Sequence, residues 1–234
     1  MSAFPWAQDL SAEERAIIER SGYGQPRGLG ERPALLVVDM QRNYVGDRVP
    51  ILDSIERYPA SGGERAWVVV PGIQRLLGAA RERGIPVIHT RVVQKHGAGF
   101  SGFARKARRD PAAFLEGAPG TRIIDELAPR AGELVVDKPH GSAFFGTPLT
   151  SLLVGLGVDT LLVTGGVTGG CVKATIVDAV ALNFNVGAVW ECLYDRIGLS
   201  HRAALLDLWM KYCDLLSLDE ALGYIRTRDR LHTR

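Results

Sequence analysis

The chain has 234 residues, 46% of them hydrophobic and 23% charged, with a formal net charge of +2 at pH 7. That length and composition fit one generous globular domain and lie outside the low-hydrophobicity, high-charge range of disordered chains. So small a net charge argues against nucleic acid as a partner, and no apolar run approaches the ~20 residues needed to span a bilayer, which argues against a membrane.

The first residues, Met1 to Asp9, show no basic stretch followed by an apolar core, so no secretory signal is expected. Residues 1–30 read as an appendage to the body. Ser11-Ala-Glu-Glu14 has capping-box spacing, in which a serine and a glutamate three residues on satisfy each other's backbone N–H groups; it predicts a short helix through Glu19. Gly22, Gly24, Pro26, Gly28 and Gly30 then keep the chain irregular up to the first apolar run.

From there strand-like and helical segments alternate. Strands are expected at 34–38, 86–90, 133–136, 160–164, 186–190 and 214–217, and helices at 71–83, 122–127, 147–155, 170–183 and 201–211. Strands joined through helices of that length need crossover connections, hence a mostly parallel sheet. The expected fold is a three-layer α/β/α, Rossmann-like arrangement of about six strands, with helices on both faces. No repeat or low-complexity linker divides it, so residues 1–234 read as a single domain. The stretches 46–66 and 95–109 are polar and turn-rich, of a length common in lids and interfaces. Phe100, Phe103 and Phe114 beside the second would cover a pocket, cover a neighbouring subunit, or pack on their own domain. The basic cluster from Arg105 to Arg109 lacks interleaved aromatics and reads as a solvated helix face.

Cys171, Cys192 and Cys213 cannot all pair within the chain, and none belongs to a Cys-x-x-Cys motif. Reduced thiols fit a cytoplasmic protein. Cys192 and Cys213 read as small buried hydrophobes. Cys171 is different. It follows the apolar run Leu161-Leu-Val-Thr164 and a glycine-rich turn, and a helix-like stretch begins after it. A helix N-terminus favours a thiolate, and bare backbone N–H groups near the sulfur suit an oxyanion. Asp39 closes the run Ala34-Leu-Leu-Val-Val38, and Lys138 follows Leu134-Val-Val-Asp137. An acid, a base and a nucleophile each end a strand, which is where active sites lie in open α/β sheets.

Asp39 within Leu35-Leu-Val-Val-Asp-Met-Gln41, Lys138 within Asp137-Lys-Pro-His-Gly-Ser-Ala-Phe144 and Cys171 within Gly169-Gly-Cys-Val-Lys-Ala-Thr175 resemble the isochorismatase-like cysteine hydrolases. The likeness runs from about Gly28 to Ile225. Gly22-Tyr-Gly24, Gly28-Leu-Gly-Glu-Arg-Pro33 and Lys211-Tyr-Cys-Asp214 look most like the branch of N-carbamoylsarcosine and maleamate amidohydrolases. The resemblance implies an Asp39–Lys138–Cys171 triad, an oxyanion site made by the N–H groups of Val167 and Cys171, and a cis peptide at Gly166–Val167. It implies that Arg196 binds a substrate carboxylate, against the plainer reading of a local Asp195–Arg196 surface pair. Thr168, Trp67 and Phe144 are further candidate substrate contacts. The resemblance also implies a homo-oligomer, with a tetramer favoured and residues 1–30 or 95–115 touching the neighbour.

Gly169 stands where the family usually has a polar residue, and Gly166 where it has a bulkier one, which implies a looser turn. Some relatives within the superfamily carry a metal on closely spaced histidines; His89, His96, His140, His201 and His232 lack such spacing, so neither a metal nor a cofactor is expected. The expected activity is hydrolysis of a small carboxylate-bearing amide or ureido compound, with maleamate or a biuret-like amide as alternatives. Vinyl-ether cleavage needs no thiol, so Cys171 speaks against it. A catalytically silent binding or regulatory protein is the remaining alternative.

Overall fold

The computed structural model describes residues 4–95, 106 and 110–228. Six strands are present among them: β1 (Pro33–Val38), β2 (Val87–Val92), β3 (Leu134–Lys138), β4 (Thr160–Gly166), β5 (Asn185–Tyr194) and β6 (Asp214–Leu216). They form one sheet in the order β3-β2-β1-β4-β5-β6, and every pairing is parallel. The α-helices are α1 (Ala12–Arg20), α2 (Arg42–Val45), α3 (Ile51–Arg57), α4 (Glu64–Arg83), α5 (Leu149–Gly155), α6 (Lys173–Ala181), α7 (Gly198–Lys211) and α8 (Leu218–Arg226).

All six residues of β1 are buried, because both faces of a parallel sheet are covered. Alternate side chains point to opposite faces. Leu36 and Val38 join Leu149, Ile176 and Leu205 in the core under α5, α6 and α7. Leu35 and Val37 join Ile73, Leu76, Leu222 and Ile225 under α4 and α8. The chain runs outward from β1 to β3 and then returns to place β4 against the other side of β1. The strand order thus reverses between β1 and β4, and the carboxyl ends of strands at such a point are where open α/β sheets place their sites.

Several boundaries differ from the sequence-based expectation. α4 begins at Glu64, seven residues before Pro71; the burial of Ala66, Val69 and Val70 carries the helix through the proline, which forgoes only the bond to the Trp67 carbonyl. The expected helix at 122–127 is reduced to a 3-10 turn over Asp125–Leu127, because Ile123 forms a bridge with Gln41 instead. The stretch 46–66 holds α3 and the start of α4. α8 was not foreseen, although Ser217 and Glu220 cap it reciprocally, as Ser11 and Glu14 cap α1.

The N-terminal segment packs on its own chain. Phe4 stacks on Trp6 with centroids 4.6 Å apart, and both meet Trp209. Asp214 accepts from the N–H groups of Arg27 and Gly28 at 2.9 and 2.7 Å. Phe114 is buried against Tyr44. Of the three placements open to Phe114, packing on its own domain is the one formed. Phe100, Phe103 and most of the 105–109 cluster lie outside the described residues. Among the described residues no helix is long and apolar enough to cross a membrane.

His89 of β2 is 1% exposed, its Nε2 3.4 Å from a Glu133 carboxylate that Arg81 already grips at 2.7 and 3.0 Å. Burial holds its pKa below the ordinary value; Glu133 opposes that shift and Arg81 adds to it. The folded chain thus keeps His89 neutral where the unfolded chain takes up a proton, so stability falls as pH drops below about 6.5. His89→Leu is expected to flatten the decline of Tm between pH 7 and pH 5. Parallel curves for parent and variant would remove His89 as the titrating group.

Candidate active site

Asp39 is the first residue after β1, fully buried, with φ at 49°. Aspartate is among the few L-residues that tolerate the left-handed region. Thr90, on β2, holds it twice: the hydroxyl accepts from the Asp39 N–H at 3.1 Å and donates to Oδ1 at 2.6 Å. Oδ2 faces the ammonium of Lys138, 2.8 Å away, at the end of β3. Lys138 is also fully buried and donates to the carbonyls of His140 and Gly141 at 3.0 and 2.9 Å. Burial alone would lower its pKa; the charges of Asp39 and Cys171 outweigh that, and the net direction is upward. Lys138 stays cationic.

Cys171 lies in the turn Thr168–Val172 between β4 and α6, with Gly170 breaking the helical path at φ −119° and ψ −108°. Its thiol is within interaction range of both Asp39 and Lys138. The three groups expected from sequence therefore meet. Burial pushes the Cys171 pKa up to about 12, the Asp39 carboxylate adds to that, and Lys138 only partly offsets it. The resting sulfur is a thiol beside a base and a fixed cation. The peptide Gly166–Val167 is cis, and no acceptor for the Val167 N–H is found among the described residues.

Arg196 follows β5. Its Nε donates to the Ala60 carbonyl at 2.5 Å, its guanidinium lies 5.5 Å from the Tyr44 ring centroid, and its Nη2 is buried without a partner. Asp195 takes the backbone N–H of Arg196 at 2.7 Å, so the simple surface pair is not formed. Ala60 and Phe114 line an adjoining cavity of about 210 Å³ together with Asn43, Arg57, Pro59, Asp110 and Ala113.

Residues 33–220 match the model of the isochorismatase domain. The chain belongs to the isochorismatase family. It is 36% identical over 208 residues to a maleamate amidohydrolase of Pseudomonas putida, covering 87% of this chain and 92% of that one. It is 30% identical over 214 residues to an N-carbamoylsarcosine amidase of an Arthrobacter species, covering 90% and 77%. A cysteine hydrolase from Pseudomonas syringae pv. phaseolicola superposes with a TM-score of 0.71 at 26% identity, over 84% of this chain and 93% of that one.

Within this family member the glycine turn is tight, not loose. A Cβ on Gly166 would meet the Tyr194 ring at 2.2 Å, and one on Gly169 would meet Ser200 Oγ at 2.5 Å. Tyr194 fills the room that a bulkier residue would take, and its hydroxyl donates to the Tyr44 carbonyl at 2.9 Å. The Thr168 hydroxyl donates to the Tyr194 carbonyl at 3.0 Å and lies 2.8 Å from His201 Nδ1, which fastens the turn to α7. Trp67 reaches the Gly46 carbonyl at 3.1 Å and pins the loop after α2. Phe144 stacks on Phe184 in the core that also holds Cys171. Neither Trp67 nor Phe144 lines the cavity beside Arg196.

Sequence reasoning missed Thr90 and the role of Gln41, whose Oε1 takes the Val92 N–H at 2.6 Å and so ties the segment after Asp39 to β2. Thr90 was the last residue of an expected strand, the same signal that exposed Asp39. His140 serves Lys138 through its carbonyl, while its ring packs on Phe145 at 4.7 Å. Among the described residues no three His, Cys, Asp or Glu side chains gather as a metal site would require.

Proposed function

We propose that this protein is a cysteine-dependent amidohydrolase that cleaves a small carboxylate-bearing amide or ureido compound and releases ammonia. The observation carrying the proposal is the meeting of buried Cys171 with buried Asp39 and Lys138 at the carboxyl ends of the strands. Structural cysteines seldom sit against an aspartate–lysine pair, because placing both charges in a core is costly without a use for them.

An amide carbonyl is a poor electrophile, so the nucleophile must be freed at the moment of attack. Asp39 takes the thiol proton as the Cys171 sulfur bonds to the carbonyl carbon. The N–H groups of Val167 and Cys171 face the oxyanion that results. The adduct collapses, the C–N bond breaks, and Asp39 returns the proton to the leaving nitrogen. Water then attacks the thioester, Asp39 again taking a proton, and the carboxylic or carbamic acid departs as the thiol reforms. Lys138 steadies the thiolate and keeps the Asp39 carboxylate aimed.

Arg196 supplies the second half of the reading. A buried Nη2 without a partner is a vacant donor, and a carboxylate is the group that best satisfies a guanidinium fork. Maleamate and N-carbamoylsarcosine both pair such a carboxylate with a carbamoyl group. The higher identity to the maleamate enzyme favours a compact, planar acid amide as the alternative to the ureido acid.

Ammonia release from maleamate, N-carbamoylsarcosine, other ureido acids and neutral amides tests the proposal. The anionic compounds should be turned over and the neutral ones poorly. Cys171→Ser should still bind substrate but retain less than about a thousandth of the parent rate, as loss of a triad nucleophile does elsewhere. Activity within tenfold of the parent would remove Cys171 from its role. A parent that hydrolyses nothing in the panel would favour the silent binding protein.

A further inference from the structure

We infer that Asp195 is a positioning residue, a single carboxylate that sets both the nucleophile turn and the substrate-binding arginine. Its Oδ2 accepts the N–H of Gly169, two residues before Cys171, at 2.7 Å; its Oδ1 accepts the N–H of Arg196 at 2.7 Å. The loop after β4 and the loop after β5 thus share one acceptor. Both bonds are charge-assisted, which makes them stronger than neutral amide contacts.

The surroundings are arranged around this bond. Gly169 has no room for a side chain: an added Cβ would lie 2.5 Å from Ser200 Oγ and 3.1 Å from Asp195 Oδ2. Arg196 has its carbonyl held by the Arg65 guanidinium and its Nε on Ala60, so the N–H held by Asp195 is the remaining backbone tether. The glycine that departs from the family pattern is therefore what lets the carboxylate approach. A misplacement of about 1 Å in such a supporting contact is enough to cost roughly a hundredfold in rate. Asparagine at this position has one acceptor oxygen where two are needed and turns an NH2 toward an N–H donor.

This inference rests on the reading of Arg196 as a carboxylate clamp, and the test separates the two. Iodoacetamide and iodoacetate both alkylate a thiol, but only iodoacetate carries a carboxylate. The ratio of their rates at Cys171, read by mass spectrometry of the full chain, reports whether the arginine is in place. The parent should favour iodoacetate more than Arg196→Ala does, by about tenfold. Asp195→Asn should fall to the Arg196→Ala ratio with Arg196 intact and Tm within a few degrees. Its kcat on a neutral amide should also drop about tenfold, because the turn that carries Cys171 has lost its acceptor. Gly169→Ala, which crowds the same bond without touching Asp195, should lower the ratio too and serves if Asp195→Asn does not fold. A parent indistinguishable from Arg196→Ala overturns the clamp reading, and this inference with it. A parent distinct from Arg196→Ala, with folded Asp195→Asn or Gly169→Ala matching the parent, overturns the inference alone.

Discussion

Asp39→Asn is expected to stop turnover while making Cys171 easier to alkylate. The two effects have opposite signs because the carboxylate does two things. As a base it takes the thiol proton during attack and returns it to the leaving nitrogen; removing such a group costs on the order of 10²–10⁴-fold in rate. As a neighbouring anion it raises the Cys171 pKa, second only to burial, to about 12. The amide variant keeps the shape but loses the charge. Lys138, which lowers the thiol pKa, would then be opposed by burial alone. The thiolate therefore forms at lower pH in the variant, and the pH profile of iodoacetamide labelling moves down from its parent position. In the parent, labelling should climb steadily with pH and show no plateau below about pH 10. A variant that keeps turnover within tenfold of the parent is not missing its base. One that loses turnover with an unmoved labelling profile has lost it by another route, such as displacement of Lys138.

That pairing of effects also marks what could be read from sequence and what could not. Asp39, Lys138 and Cys171 were legible because each ends an apolar run, and a parallel sheet gathers strand ends at one edge. Their charge states were not. Composition and spacing place Cys171 at a helix start, which favours a thiolate; only the fold shows that burial and Asp39 push its pKa upward. Contacts made by backbone groups are equally silent in sequence. Nothing in Asp195-Arg196 says that the aspartate holds two N–H groups, one of them 26 residues away, and the adjacent pair naturally reads as a local ion pair. The helix from Leu218 to Arg226 is different again: its Ser217–Glu220 capping box is visible, but the apolar run before it carries the expected strand across the serine. The glycines at 166 and 169 look permissive in sequence and turn out to be demanded by Tyr194 and Ser200.

Arg196→Ala should cost roughly thirtyfold to a thousandfold in kcat/KM on a carboxylate-bearing amide, the equivalent of about 2–4 kcal/mol for a charge-assisted, desolvated two-pronged contact. The buried, unpartnered Nη2 is the physical ground for that size. A donor already satisfied by the protein would lose a bond in binding substrate, whereas this one gains its first. The loss should be selective. A neutral amide of similar shape cannot use the guanidinium, so parent and variant should hydrolyse it at equal, low rates. Arg196→Lys should recover only part of the activity, since an ammonium restores charge without the planar fork, and it cannot keep both the Ala60 carbonyl and the substrate. The plainer reading makes a different forecast. If Arg196 serves chiefly to bind Ala60 and lie over Tyr44, its removal loosens the wall of the cavity. Both classes of substrate would then suffer equally and Tm would fall by several degrees. Equal losses together with that fall would sink the carboxylate clamp, and the acid requirement of the proposed substrate would have to come from another residue.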